Sequence, residues 1–554
     1  MSISMNIAAS LPLLARERGD QVAMHYPGRD GGYGSALSYA ELDARSDAIA
    51  AGLVRHGIGR GVRTVVMVRP GPEFFLLMFA LFKCGAVPVL VDPGIDRRAL
   101  KQCLDEARPQ AFIGIALAHL ARLALGWARS ARTLVTVGPR LGWGGTTLAR
   151  IEAAGQDAGP QQAPTDGEDV AAILFTSGST GVPKGVVYRH RHFVAQLDML
   201  REAFAIEPGG VDLPTFPPFA LFDPALGLTS VIPDMDPTRP ARANPLKLHA
   251  AIERFGVTQL FGSPALMRVL AEFGRPLPTV KRVTSAGAPV PPEVVARMLE
   301  LLPEDARFWT PYGATECLPV AVIEGRELLT LRGRTEEGAG TCVGRPVAPN
   351  EVRIIGISDE PFPQWNDALL VSPGQIGEIT VAGPSVTDSY FHREAATAAG
   401  KISEALVPPH ADGAGGASRI VHRMGDLGYV DAEGRLWFCG RKSQRVVVDA
   451  DTTLCTEQLE PVFNTHPEVA RSALVGVGPA GAQVPVLCVE LRPGTDAAQW
   501  RRIEAELRQL ADGRVHTAKV RRFLHHPRPF PVDIRHNAKI GRETLAAWAA
   551  SQMS

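Results

Sequence analysis

From about residue 64 onward the chain alternates short β-branched runs with helical stretches: 64–68 before 73–84, 87–91 before 97–106, and 258–261 before 265–273. Strands separated by helices of this length build βαβ units, which place parallel strands in sheets covered on both faces. An α/β fold of mainly parallel sheets flanked by helices is therefore expected. After about residue 378 the texture changes. Residues 378–382, 428–431 and 436–438 read as short strands, the last two joined through Ala432-Glu433-Gly434, so a small antiparallel β subdomain should follow. Helical patterns at 455–464 and 497–511, with strands at 471–477 and 484–491, are enough for a small α+β unit. The expected organisation is a large domain of several subdomains, residues 1–441, and a small mobile C-terminal domain, residues 442–554. The run Gly413-Ala414-Gly415-Gly416 marks 408–418 as a surface loop.

The 58 basic and 58 acidic residues cancel, which removes the bulk electrostatic attraction that nucleic-acid binding rests on and gives no overall pull toward anionic lipid. Seven cysteines (84, 103, 317, 342, 439, 455 and 488) are odd in number, scattered and without a C-x-x-C pair. They fit neither a disulfide framework nor a structural zinc site, and a reducing cytoplasm suits them. Residues 1–14 lack the basic start of a secretory signal. The most apolar segment, 74–91, is interrupted by Lys83, Gly85 and Pro88, so it reads as a buried helix running into a strand and no transmembrane anchor is expected.

Chemistry concentrates at Thr176-Ser177-Gly178-Ser179-Thr180-Gly181-Val182-Pro183-Lys184-Gly185, between an apolar strand at 171–175 and a second apolar run. Glycines let backbone N–H groups approach an anion, hydroxyls donate to its oxygens and a lysine offsets its charge, so the stretch has the make-up of a phosphate cradle. It is not a Walker A loop, because Lys184 is followed by Gly185 and Val186 rather than Ser or Thr. A flexible polar turn is the plain alternative. Only nine of the 58 basic residues are lysines, so a lysine inside such a motif carries weight.

This loop closely resembles the signature of the AMP-forming adenylation superfamily, which includes acyl-CoA synthetases, nonribosomal adenylation domains and luciferases. Further motifs recur in the family's order: Ser285-Ala286-Gly287-Ala288-Pro289, Tyr312-Gly313-Ala314-Thr315-Glu316, Met424-Gly425-Asp426, Gly440-Arg441, and Lys539 within Asn537-Ala538-Lys539-Ile540. The resemblance implies that Thr176 through Gly181 and Lys184 hold the β- and γ-phosphates of ATP, and that Thr315 meets the α-phosphate. It implies that Glu316 coordinates Mg²⁺, that Gly287, Ala288, Pro289, Tyr312 and Gly313 surround the adenine, and that Asp426 and Arg441 reach the ribose. Lys539 would bridge the substrate carboxylate and phosphate. His190 reads as a packing histidine rather than a base.

Where thioester-forming members carry G-R-x-D-D and a glycine-containing loop, this chain has Gly440-Arg441-Lys442-Ser443-Gln444-Arg445 and then Asp449-Ala450-Asp451-Thr452-Thr453. The hinge aspartates and the loop glycine are absent, so CoA is not the expected acceptor. With the 216–224 segment and the tail at 531–540, the chain is similar to the β-lactone synthetases of bacterial long-chain olefin biosynthesis. That branch implies adenylation of a long-chain 2-alkyl-3-hydroxy acid, whose own hydroxyl then displaces AMP, with other enzymes of that pathway as candidate partners. Two alkyl arms call for a wide apolar pocket, for which Phe216, Phe219, Phe222 and Leu266 are candidates. The competing reading is a long-chain fatty acyl-CoA or acyl-AMP ligase.

Overall fold

The structure, a computed structural model, describes residues 5–28, 31–92, 94–176, 183–406, 417–531 and 540–553. A seven-stranded sheet runs in the order Thr146–Thr147, Thr133–Val137, Ala111–Ile115, Arg63–Met67, Val87–Val91, Val170–Thr176, Lys184–Arg189. Every pairing in it is parallel except the last. Its central strands are apolar on both faces because helices cover both, as at the adjacent Val65 and Val66. Helix Pro72–Lys83 is buried along nearly its whole length. Its terminal Lys83 is neutralised by Asp43 at 2.6 Å and Asp47 at 2.7 Å on helix Tyr39–Arg55. That buried ion cluster explains how an apolar helix ending in lysine packs inside the protein, and no helix among the described residues is long and apolar enough to cross a membrane.

The second sheet joins parallel and antiparallel halves in one hydrogen-bonded path. Strands Val211–Pro214, Gln259–Gly262, Arg282–Ser285 and Arg307–Ala314 are parallel neighbours. Past these strands antiparallel pairing sets in at Cys317–Glu324, earlier than the change of texture near residue 378 suggested, and continues through Thr341–Pro346, Leu436–Arg441, Ser418–Val430, Gly377–Ala382 and Glu351–Ile355; at the sheet's other end Val22–Tyr26 and Ser35–Ser38 are antiparallel too. The expected antiparallel part is thus an extension of the parallel sheet. Residues 428–431 and 436–438, read as short strands, belong to the longer Ser418–Val430 and Leu436–Arg441. Most of the loop expected at 408–418 lies outside the described residues.

The C-terminal residues form a three-stranded sheet of Val469–Val477, Val484–Leu491 and Arg522–His525, packed by helices Thr456–Asn464, Trp500–Asp512 and Arg542–Met553. This part has its own apolar core around Leu459, Phe463, Leu487 and Leu507. Gly440 lies where it meets the large sheet. A Cβ there would come 2.5 Å from the Thr456 hydroxyl, and its φ of +135° disfavours any other residue.

Candidate active site

Strand Val170–Thr176 and strand Lys184–Arg189 form an antiparallel hairpin in which Thr176 and Lys184 are register partners. The signature stretch therefore starts and ends on paired strands, with Lys184 opening the second. Ser177, Gly178, Ser179, Thr180 and Gly181 lie outside the described residues, as does Lys539. Lys184 Nζ stands 5.1 Å from the Tyr390 ring centre, a cation–π contact.

A cavity of about 720 Å³ opens beside this hairpin at the C-terminal ends of the parallel strands, the place where open α/β sheets bind ligands. Lys184, Gly287, Tyr312, Gly313, Thr315, Glu316 and Arg441 all line it, although they come from segments far apart in sequence. Gly287 turns the chain at φ +102° just past strand Arg282–Ser285. The Ser285–Pro289 segment leaves Ala288 half-buried and Pro289 exposed beside it. Asp426 is buried and clamped: Tyr312 Oη donates to its Oδ2 at 2.6 Å, and Arg441 Nη1 pairs with its Oδ1 at 2.9 Å. Burial pushes the Asp426 carboxyl up, and Arg441 and the Tyr312 hydrogen bond oppose that.

Glu316 is held more elaborately than its motif indicates. Its backbone carbonyl accepts from Thr387 N at 2.9 Å and Thr387 Oγ1 at 3.0 Å, and its Oε1 accepts from Tyr390 Oη at 2.7 Å. Burial would raise its pKa, but His422, the Tyr390 hydrogen bond and Lys401 outweigh it and hold the carboxyl below its ordinary value. A carboxylate kept ionised at a cavity wall is the hard oxygen donor that Mg²⁺ takes alongside phosphate oxygens, so the residues present fit that ion. Thr315 is fixed through its carbonyl, which accepts from Tyr188 Oη at 2.5 Å.

Tyr188, Thr387, Tyr390, Lys401 and His422 were not singled out from sequence. Lys401 is buried, donates to the Thr387 carbonyl and hydroxyl, and is pushed down to about 8, chiefly by burial. As one of nine lysines it carried a signal. His422 is buried, shares a 3.0 Å hydrogen bond between its Nδ1 and the Gly400 carbonyl, and is driven down to about 3 by burial and then by Lys401. His190 is a packing residue: it is buried, and its Nδ1 accepts from Ile7 N at 3.3 Å.

The apolar part of the cavity contains Phe216, Phe219 and Phe222, joined by Met78, Phe79 and Phe82. Phe219 stacks on Phe261 with centroids 4.6 Å apart. Leu266 does not line the cavity. It sits fully buried in the core beneath, with Met267 and Leu270, because its helix, Pro264–Phe273, turns that face toward strand and helix neighbours. An apolar stripe at helical spacing is packing here, and Leu266 is corrected to a core residue.

Sequence reading also missed a polar row in the cavity wall. Asp212, Gln259 and Arg282 are lateral neighbours on adjacent strands. Their row lies three residues before Gly262 and Ser285, so roughly 10 Å below the strand ends. Asp223 is buried beside Asp212, accepts from the Ser230 hydroxyl, and is pushed up first by burial and then by Asp212. Burial likewise pushes Asp212 up to about 6. Acids whose folded pKa is raised stabilise the protein below the unfolded value near 3.8, and that contribution is lost as pH rises through the folded value. Asp223→Asn should therefore gain in Tm relative to the parent as pH is raised from 4 to 8. Parallel Tm curves would show that the pair does not share a proton.

The chain matches the family model of the AMP-binding enzymes over residues 13–391. It is 70% identical over 559 aligned residues to the olefin beta-lactone synthetase of Stenotrophomonas maltophilia, covering 100% of this chain and 99% of that protein. Against the protein of the same name from Xanthomonas campestris pv. campestris it is 68% identical over 557 residues, with coverage of 100% and 99%. Among solved structures, the amide bond synthetase McbA of Marinactinospora thermotolerans superposes with a TM-score of 0.74 at 22% identity, covering 98% of this chain and 99% of that one. The AMP complex of Bacillus subtilis O-succinylbenzoate coenzyme A synthetase gives 0.73 at 20% identity, covering 97% of each chain. Those two likenesses bear on the fold. With a family model matched over most of its length, this chain belongs to the AMP-binding enzymes.

Proposed function

We propose that the protein is an ATP-dependent β-lactone synthetase. It adenylates a long-chain 2-alkyl-3-hydroxy acid, releasing pyrophosphate, and closes the acyl-adenylate to a β-lactone, releasing AMP. The observation that carries this reading is the full-length 70% identity to an olefin beta-lactone synthetase.

Adenylation brings one anion against another, so the protein must offset charge and hold the reactants in line. In this reading Lys184 and the loop from Thr176 to Gly181 take the β- and γ-phosphates, Thr315 the α-phosphate, and Gly287, Ala288, Pro289, Tyr312 and Gly313 the adenine. Asp426, oriented by Tyr312 and Arg441, accepts from the ribose hydroxyls. Glu316 would hold Mg²⁺, which when bound offsets phosphate charge. Residues 442–554 act as a small C-terminal domain that delivers Lys539 to the carboxylate. The alkyl arms lie among Phe216, Phe219 and Phe222.

Ring closure needs no second substrate, because nucleophile and carbonyl belong to one molecule and proximity replaces a thiol tunnel. The hinge region supports this. Lys442, at the first position after Gly440-Arg441, pairs with Glu378 at 3.0 Å and donates to the Ser358 carbonyl at 2.9 Å, while Arg445 pairs with Asp359 at 2.6 Å. The stretch that carries a glycine loop in thioester-forming members is here a tight hairpin of Val446–Asp449 and Thr452–Leu454. All seven cysteines are buried and unpaired, which suits a cytoplasmic enzyme.

Incubation with ATP, Mg²⁺ and a 2-alkyl-3-hydroxy acid, with and without CoA, tests the reading by mass analysis. The expected result is AMP, pyrophosphate and a product one water lighter than the acid, independent of CoA. A thioester without lactone would overturn it in favour of an acyl-CoA ligase.

A further inference from the structure

Helix Ala116–Leu125, ALAHLARLAL, is turned inside out. Its one uncharged polar residue, His119, is fully buried, shares a hydrogen bond with the Val135 carbonyl at 3.0 Å and stacks on Trp143 at 5.3 Å. Its leucines face outward: Leu117 is 64% exposed, Leu120 47% and Leu123 57%. The Trp143 contact also brings the loop bearing Arg140 and the 64%-exposed Leu141 alongside this helix. A row of leucines normally faces a core, and an exposed apolar patch of this kind marks an interaction surface.

The stretch of chain that carries it has charge of one sign. Residues 108–151 contain six arginines (108, 122, 129, 132, 140 and 150) and no aspartate or glutamate, in a chain whose total charge is zero. Among the described residues none of the six pairs with a carboxylate, whereas arginines elsewhere in the chain do so repeatedly. All but Arg122 are exposed. Exposed leucines in a segment whose arginines lack carboxylate partners match a bilayer interface, where acyl chains take the leucines and anionic headgroups the guanidinium groups.

We propose that the outer face of helix Ala116–Leu125, with the arginines and Leu141 beside it, docks on an anionic lipid bilayer. The patch lies toward the Thr146–Thr147 edge of the seven-stranded sheet, away from the Lys184–Arg189 edge that leads to the cavity. Docking there leaves the cavity side free. The inference stands on this surface alone and does not depend on the reaction assigned above.

Co-sedimentation of the full-length protein with phosphatidylcholine vesicles, with and without phosphatidylglycerol, tests it. Partition should be at least tenfold stronger onto the anionic vesicles and should weaken in high salt. Both Leu117→Ser/Leu120→Ser/Leu123→Ser and Arg129→Glu/Arg132→Glu should lower it at least tenfold while melting like the parent. If one variant fails to fold, the other carries the test. Absence of binding, equal binding to both vesicle types, or binding unchanged in a folded variant would overturn the proposal. So would self-association abolished by the leucine variant in a protein that ignores vesicles, because the face would then join two copies of the chain.

Discussion

Glu316→Gln should lower ATP–pyrophosphate exchange by about 10²-fold or more, the scale on which one preorganised electrostatic group acts. Glutamine keeps the shape of the side chain and can still accept from Tyr390 Oη, which now donates to Glu316 Oε1 at 2.7 Å. The Thr387 contacts go to the backbone carbonyl and are untouched. What disappears is the negative charge that the Tyr390 hydrogen bond and Lys401 help to hold in place. A loss of exchange with a cooperative melt retained assigns the effect to charge. Exchange at the parent's rate would remove Glu316 from the site. Tyr390→Phe should cost much less, since the carboxylate keeps its charge and loses one donor.

Glu378→Ala should produce the largest loss of stability, about 3–5 kcal/mol. The Glu378 and Arg423 side chains are 1% and 2% exposed and meet at 2.6 Å, and Lys442 adds a second cation at 3.0 Å. Removing the carboxylate leaves two cations around a dry position, which costs far more than the pair contributes net. Replacing Glu378 and Arg423 together by apolar residues should recover much of the loss, because the more deeply buried cation goes with them and only the 17%-exposed Lys442 remains. Thermal unfolding of the single and double variants checks this, and equal Tm for Glu378→Ala and the parent would refute it. Lys442 immediately follows Arg441, so the single variant should also loosen the link to the C-terminal part, seen as faster proteolysis near residue 442.

The motifs were legible because their chemistry is local. A strand, a hydroxyl-glycine loop and a lysine must be contiguous to cradle a phosphate, and the hairpin pairing Thr176 with Lys184 preserves that contiguity. Alternation of strand and helix is likewise a local pattern, so 87–91, 97–106 and 265–273 were placed within a residue or so. Supporting residues were harder to read: Tyr188, Thr387 and Tyr390 act through contacts with Thr315 or Glu316 from other strands and loops, and Lys401, although one of only nine lysines, acts through Thr387. Leu266 and Phe219 look alike as apolar residues near the same motifs, and only packing separates a core leucine from a cavity phenylalanine.

Net charge shows the same division. A total of zero is a property of the composition, and it excludes a bulk field. Composition cannot say where charges sit, and folding leaves the acid-free stretch 108–151 largely unpaired at one edge while gathering Lys184, Glu316 and Arg441 on one cavity wall. The sequence alone determined the reaction class, since phosphate-binding loops and their partner motifs are read from adjacent residues. Tertiary structure alone decided how Glu316 stays ionised, which apolar residues face the cavity and which leucines face outward. Burial and distance are properties of the packed chain, and Coulomb and hydrophobic free energies depend on both.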